Sequence, residues 1–373
     1  MRKPRVVHYT IGYHEPAIQG GTEAIIRAMA MATHEQYDHA VMAKNAVESY
    51  EYMRGVRPTK DFNDWDLQTG EVLAALEPDV VILYLGDGSQ MHRALKCLPE
   101  GVLRVGFAQD LQAFDVNGKA FIQDLDQVWS HDQVALMAIP QYSKQVSIYW
   151  MPPALDASVF QGTDRPKGGD PCKWAYVGRF DDTHKRQMDA VWLVQAMRDR
   201  GIAECTLEVV GGGTPFSNTN VMRSVVDDLP YVHDHGWATP SQVASVMRRT
   251  GVLVIPSAQE TFCIVALEAL ACGSLVLSNC RRGCNMSRWA DPYTLNGYDY
   301  GPFSDYMYDT SKWVHKHAPQ DEGVPDREAM FTAMCELLAG KVRYVNHSVA
   351  IQQQFGLPAM AERFIKAVQD DRN

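Results

Sequence analysis

At 373 residues, with 46% hydrophobic and 21% charged residues, the chain has enough apolar material for two buried cores. The formal net charge of -10 is spread over both halves, which argues against a generally basic surface for nucleic acid or anionic lipid. Eight cysteines in a chain this long do not make a disulfide scaffold, and no apolar run approaches the ~20 residues that a membrane span needs. Met1–Thr10 is basic and then briefly apolar, without the longer apolar stretch of a signal peptide, and cysteines in apolar surroundings, Cys97, Cys205, Cys263, Cys272 and Cys335, make a reducing cytoplasm the expected location.

In chain order, strand-like and helix-like segments alternate almost throughout. Val6–Thr10 reads as a strand, followed by a Gly-Gly turn and a helix from about Thr22 to Ala32. His39–Ala43, Val80–Leu85, Leu103–Ala108, Gln127–Ser130 and Val146–Met151 read as further strands. Several are short, continuous and β-branched, as strands covered on both faces of a parallel sheet should be. Gln161–Pro171, with three glycines and two prolines, breaks the pattern and reads as a linker. A second series follows: strands at Trp174–Val177, Thr206–Val210, Tyr231–His233, Val252–Ile255 and Leu275–Ser278, helices at Arg186–Arg198, Pro240–Arg248 and Ile264–Cys272. The expected fold class is α/β, two successive Rossmann-like domains with parallel sheets facing across a cleft. The domains are expected over residues 1–155 and 172–355, with 356–373 a closing helix that packs back towards the first.

The sharpest chemical signal is Pro256-Ser-Ala-Gln-Glu260-Thr-Phe262-Cys263-Ile264-Val-Ala-Leu-Glu268-Ala-Leu-Ala-Cys-Gly273. Glu260 falls in the loop between a strand and a helix; Glu268 falls inside a helix that is otherwise nearly all apolar. A carboxylate there is costly without a partner, and two sugar hydroxyls or a core arginine would serve. The backbone N–H groups near Phe262, Cys263 and Ile264 lie at the helix start, which attracts anions. A second signal, Gly178-Arg179-Phe-Asp-Asp-Thr-His-Lys185-Arg186, follows a strand and opens a helix. Arginine offers a fork of donors to phosphate and lysine a compact charge. Such cations oppose the helix dipole, which favours anion binding over a merely solvated surface. The third is Gly20-Gly21-Thr22-Glu23, where the backbone can approach a phosphate at a helix N-terminus.

These motifs resemble the retaining glycosyltransferases of the two-Rossmann fold called GT-B, the group 1, family 4-like enzymes, whose signature is a glutamate, seven residues and a second glutamate. Glu260 and Glu268 match it, with Phe262, Ala269, Ala271, Cys272 and Gly273 around them. The resemblance implies that Glu260 holds the hydroxyls of the donor sugar, Glu268 those of the ribose, and Arg179 and Lys185 the diphosphate. The spacing to Lys185 is one residue longer than usual, so Arg186 is the alternative to it. Cys263 stands where a glycine is common. Gly20 and Gly21 fall at the family's glycine loop, Gly211 in its strand-end glycine turn, and Trp237 and Ala238 in the loop beside the nucleotide base. Gln109 and Asp110 fall where many members carry His-Asp on the acceptor side, with glutamine here in place of the histidine.

The implied activity is transfer of a sugar, with retention, from a UDP- or GDP-sugar to an acceptor hydroxyl that the sequence does not identify. Glu260, Arg179 and Lys185 are the expected catalytic residues. No cofactor and no metal is expected. Asp64-Trp-Asp66 and Asp124-Leu-Asp126 are Asp-x-Asp pairs of the kind that metal-dependent transferases of another fold use, but chance pairs are expected among 45 acidic residues. Cys280 with Cys284, and His233 with His235, lack a matching second pair at zinc-site spacing. Residues 1–150 hold 13 Lys/Arg against 19 Asp/Glu, so no basic membrane-binding face is expected. The rival readings are a transferase acting on a modified nucleic-acid base, a nucleotide-sugar 2-epimerase on the same fold, and a non-catalytic nucleotide-sugar-binding protein.

Overall fold

The computed structural model describes residues 2–10, 20–43, 46, 49–56, 65–84, 95–96, 98–109, 122–131, 136, 139–141, 143, 145–162, 169–180, 185–213, 225–226, 228–257, 260, 262–278, 327–340 and 348–370. The chain divides into two compact units: Met1–Ala154 with Phe355–Asn373, and Leu155–Gln354.

In the first unit the elements run β1 (Arg5–Tyr9), α1 (Gly21–Thr33), β2 (Asp38–Met42), β3 (Ser49–Tyr50), β4 (Met53–Val56), α2 (Trp65–Ala75), β5 (Val80–Tyr84), β6 (Leu103–Ala108), β7 (Gln127–Ser130) and β8 (Ser147–Trp150). The sheet order is β3-β4-β2-β1-β5-β6-β7-β8. All neighbours are parallel except β3 and β4, an antiparallel pair at one edge. Every residue of β5 is buried, as its Val-Val-Ile-Leu-Tyr sequence requires of a central strand covered on both faces. The sequence reading missed β3 and β4. β3 is a two-residue edge strand, and Met53–Val56 beside it contains an arginine and a glycine, so neither stands out as an apolar run.

A polar chain crosses this otherwise apolar core. The Tyr84 hydroxyl lies 3.1 Å from His8 Nδ1, His8 Nε2 lies 3.0 Å from His39 Nδ1, and His39 Nε2 lies 2.8 Å from Thr33 Oγ1. The Thr33 hydroxyl donates to the Met29 carbonyl at 2.7 Å, so it must accept from His39. Followed back along the chain, each imidazole carries one proton and is neutral. Burial pushes His39 down to about 4 and holds His8 well below the usual histidine range, with each ring further opposed by a neighbouring histidine. Both rings bind a proton more readily when unfolded. The stability they allow is therefore complete above about pH 6.5 and falls as pH drops through about 4. Urea denaturation is expected to show a midpoint that declines from pH 7 to pH 4. With Ile at position 39 that decline should flatten; an unchanged slope would count against the chain.

The last helices are α7 (Ser348–Phe355) and α8 (Leu357–Asp370). α8 belongs to the first unit, where Phe364 packs edge-on to Trp129 and Tyr37 at 5.3 Å between ring centres. Gln127 Nε2 donates to the Ala367 carbonyl at 2.7 Å, and Gln127 Oε1 accepts from Trp129 Nε1 at 2.6 Å, so α8 is fixed to β7.

The second unit runs β9 (Asp170–Val177), α3 (Gln187–Asp199), β10 (Thr206–Val210), β11 (Val232–Asp234), α4 (Pro240–Arg249), β12 (Thr250–Ile255), α5 (Ile264–Ala271), β13 (Leu275–Ser278) and α6 (Arg327–Leu338). Its sheet is parallel throughout, in the order β11-β10-β9-β12-β13. α4 starts with a capping box, in which Thr239 and Gln242 satisfy each other's backbone N–H groups and Pro240 opens the first turn. The linker read from sequence ends earlier than expected, because Asp170 and Pro171 are the first residues of β9. A proline is tolerated there, at the start of a strand.

Candidate functional site

In the second unit the predicted donor residues converge at the carboxyl ends of the strands. Beyond β9 come Gly178 and Arg179; beyond β10, Gly211; beyond β11, Trp237 and Ala238; beyond β12, Glu260, Phe262 and Cys263. Turn geometry holds these loops together. Gly178 N donates to Val210 O at 3.0 Å, Phe180 N to Gly212 O at 2.8 Å, and Gly211 N to Gly236 O at 2.8 Å. Gly211 has a φ of 140°, and a Cβ there would run into the Gly178 carbonyl oxygen. Here glycine is required by both backbone angle and space. The indole of Trp237 lies against Gly212, where a Cβ would overlap its Nε1, and the ring is 44% exposed.

Lys185 and Glu260 meet directly. Lys185 Nζ donates to Glu260 Oε1 at 2.6 Å, with the carboxylate side chain 8% exposed and the lysine 29%. Arg186 is engaged elsewhere: its Nε donates to Asp189 Oδ2 at 2.8 Å. Of the two adjacent cations, Lys185 is the one in contact with Glu260. Arg179 is exposed, and its backbone carbonyl accepts from the Tyr176 hydroxyl at 2.9 Å.

Phe262 and Cys263 are buried at the entry to α5, and Ile264 is its first residue. Cys263 has φ 63° and ψ 72°, the left-handed region, at the N-cap of α5. That is why a glycine suits this position, and the cysteine here adopts the glycine's conformation. Glu268 lies on α5, partly buried. Among the described residues no side chain hydrogen-bonds to its carboxyl, so the core arginine considered from sequence is not found there. Burial alone pushes its carboxyl up to about 8.

The remaining predicted residues lie in the first unit. Gly20 and Gly21 open α1, and the buried Glu23 folds back so that a Cβ at Gly20 would meet its Oε2 at 2.7 Å. Gln109, directly after β6, donates from Nε2 to Thr22 Oγ1 at 2.5 Å. Asp110 lies outside the described residues. The sequence reading missed His131, the residue after β7: it is buried, pushed down to about 4 mainly by that burial, and hydrogen-bonded to the Gln109 backbone.

Among the described residues no group of three His, Cys, Asp or Glu side chains is placed to hold a metal ion. His235 instead hydrogen-bonds to Glu208, which also takes Arg249 Nη2 at 2.6 Å, and Asp126 Oδ2 accepts from Arg104 N at 2.7 Å. Asp64, Cys280 and Cys284 lie outside the described residues. No described helix is long and apolar enough to cross a membrane.

Residues 171–288 match the family model described as "Glycosyl transferases group 1". The D-inositol 3-phosphate glycosyltransferase of Segniliparus rotundus is 25% identical over 42% of this chain; the match spans 37% of that relative's length. Two solved structures share the fold over 99% of both chains. They are sucrose-phosphate synthase from Thermosynechococcus elongatus (TM-score 0.66, 14% identity) and the pneumococcal O-GlcNAc transferase GtfA in complex with UDP and GlcNAc (TM-score 0.72, 10% identity). The fold is GT-B, and the segment that resembles group 1 glycosyl transferases, residues 171–288, lies in the second unit.

Proposed function

We propose that the protein transfers a hexosyl group from a UDP- or GDP-sugar to an acceptor hydroxyl, with retention of anomeric configuration and without a metal ion. The observation that carries this reading is the 2.6 Å contact between Lys185 and Glu260 at the carboxyl end of the second sheet, beside the Gly178–Arg179 turn. In the ligand-free protein the two charges satisfy each other. A nucleotide sugar offers each a separate partner: diphosphate oxygens for Lys185, sugar hydroxyls for Glu260. Arg179 adds a second cation for the diphosphate, and the exposed Trp237 ring offers a stacking face for the base. Glu268, partly buried on α5, is suited to the ribose hydroxyls, which would donate to it.

In this mechanism the acceptor attacks from the face that the departing diphosphate vacates, and the leaving oxygens take the acceptor proton. Stabilisation of the leaving group by Lys185 and Arg179 then matters more than a strong side-chain base. Gln109, an amide, agrees with chemistry that does not rest on an imidazole. Glu260 orients the sugar ring so that its anomeric carbon faces the acceptor. The product's anomeric coupling in NMR tests this, with the donor's configuration expected and an inverted product overturning it. Turnover of the nucleotide sugar to its 2-epimer without acceptor would assign the same site to epimerisation.

Arg179→Ala is expected to weaken UDP binding by about 1.5–3 kcal/mol, the scale of charge-assisted hydrogen bonds. Calorimetric titration with UDP measures it, and unchanged affinity would make Arg179 a surface charge only.

A further inference from the structure

Lys185 and Arg186 are adjacent cations at the entrance to α3, yet they face different carboxylates: Lys185 meets Glu260, and Arg186 meets Asp189. Asp189 is 3% exposed, and both its carboxylate oxygens are in use. Oδ2 accepts from Arg186 Nε at 2.8 Å; Oδ1 accepts from Arg327 Nε at 2.8 Å and Nη2 at 2.5 Å. Arg327 in turn lies over the Trp192 ring, 5.4 Å from its centre, so α6 braces the arrangement from outside. The Asp189 amide also closes a turn onto the Arg186 carbonyl at 2.9 Å. Arg186 itself has φ 51° and ψ 43°, a left-handed conformation that a non-glycine residue adopts only when its surroundings hold it there.

We propose that Asp189 is a positioning residue for the donor site, holding Arg186 in this left-handed turn so that Lys185 is delivered to Glu260. This rests on the reading of Lys185 and Glu260 as donor-binding groups. The turn fixes the direction in which the chain leaves Lys185. The ion pair removes the neighbouring guanidinium, which would otherwise compete with Lys185 for the same carboxylate and the same phosphate oxygens. Arg327 supplies a second positive charge beside this buried carboxylate, which would be costly to bury with a single partner. Asp189 thus sorts two adjacent cations into one structural and one ligand-binding role.

The test is a double-mutant cycle read by calorimetric titration with UDP. Asp189→Asn is expected to weaken UDP about tenfold in the otherwise native chain, and less than twofold when Lys185 is already alanine. Equal losses in both backgrounds would make Asp189 merely structural, and no loss in the native background would also overturn the role. If Lys185→Ala leaves UDP affinity unchanged, the donor reading itself fails and takes the positioning role with it. Should Asp189→Asn not fold, position 186 carries the test. Arg186→Gly accepts the left-handed turn without a clamp and should hold UDP affinity within about threefold. Arg186→Val disfavours the turn and should lose about tenfold. Equal affinities for the two variants would overturn the proposal.

Discussion

Glu260→Gln is expected to keep the fold and to lose turnover by about two to three orders of magnitude, the scale of removing one preorganised polar group from a reacting centre. The amide matches the carboxylate in shape, so packing around the buried side chain is preserved. What disappears is the charge that holds Lys185 at 2.6 Å and the strong acceptor for sugar hydroxyls. Lys185 is then left with a neutral partner, and the diphosphate meets a cation no longer held in place. Release of nucleoside diphosphate measures the loss, and an unchanged thermal transition checks the fold. Turnover within threefold of the native protein would remove Glu260 from the reaction.

A second large effect is expected at Glu268, where stability and pH are linked. Burial raises its carboxyl from 4.5 to about 8, so in the ligand-free protein it is largely protonated at neutral pH. The unfolded chain ionises it near 4.5. Between these values the folded state binds more protons than the unfolded one, and stability falls as pH rises through that window. Glu268→Gln removes the effect while keeping the shape. It is expected to stabilise the ligand-free protein by on the order of 2–4 kcal/mol at pH 8, and to change little near pH 4.5. Urea denaturation at the two pH values decides it. A pH-independent difference would show that the carboxyl is not held in its neutral form.

Much of this was legible from local sequence, and the reasons can be stated. β5, β12 and β13 are short, mostly apolar runs whose residues are all buried, so burial on both faces is written directly into composition. Glu268 stood out because a carboxylate interrupts a helix of apolar residues, and the structure shows the electrostatic consequence. What local pattern does not encode is pairing at a distance. Lys185 and Glu260 lie 75 residues apart, and each was recognised by its own motif; their direct contact depends on how β9 and β12 sit side by side in the sheet. The separation of Lys185 from Arg186 was likewise unreadable, because it depends on Asp189 one turn later and Arg327 far beyond it. In the first unit, His8 and His39 occupy strand positions that read as ordinary, and only the alignment of β1 with β2 joins them into one chain of hydrogen bonds.

The most direct test of the central claim is release of nucleoside diphosphate from a panel of UDP- and GDP-sugars, with a chelator present and no acceptor but water or simple alcohols. The account predicts slow release from at least one of these donors, unaffected by the chelator and abolished in Lys185→Ala. No release from any donor in the panel, or release that requires added magnesium or manganese, would contradict it.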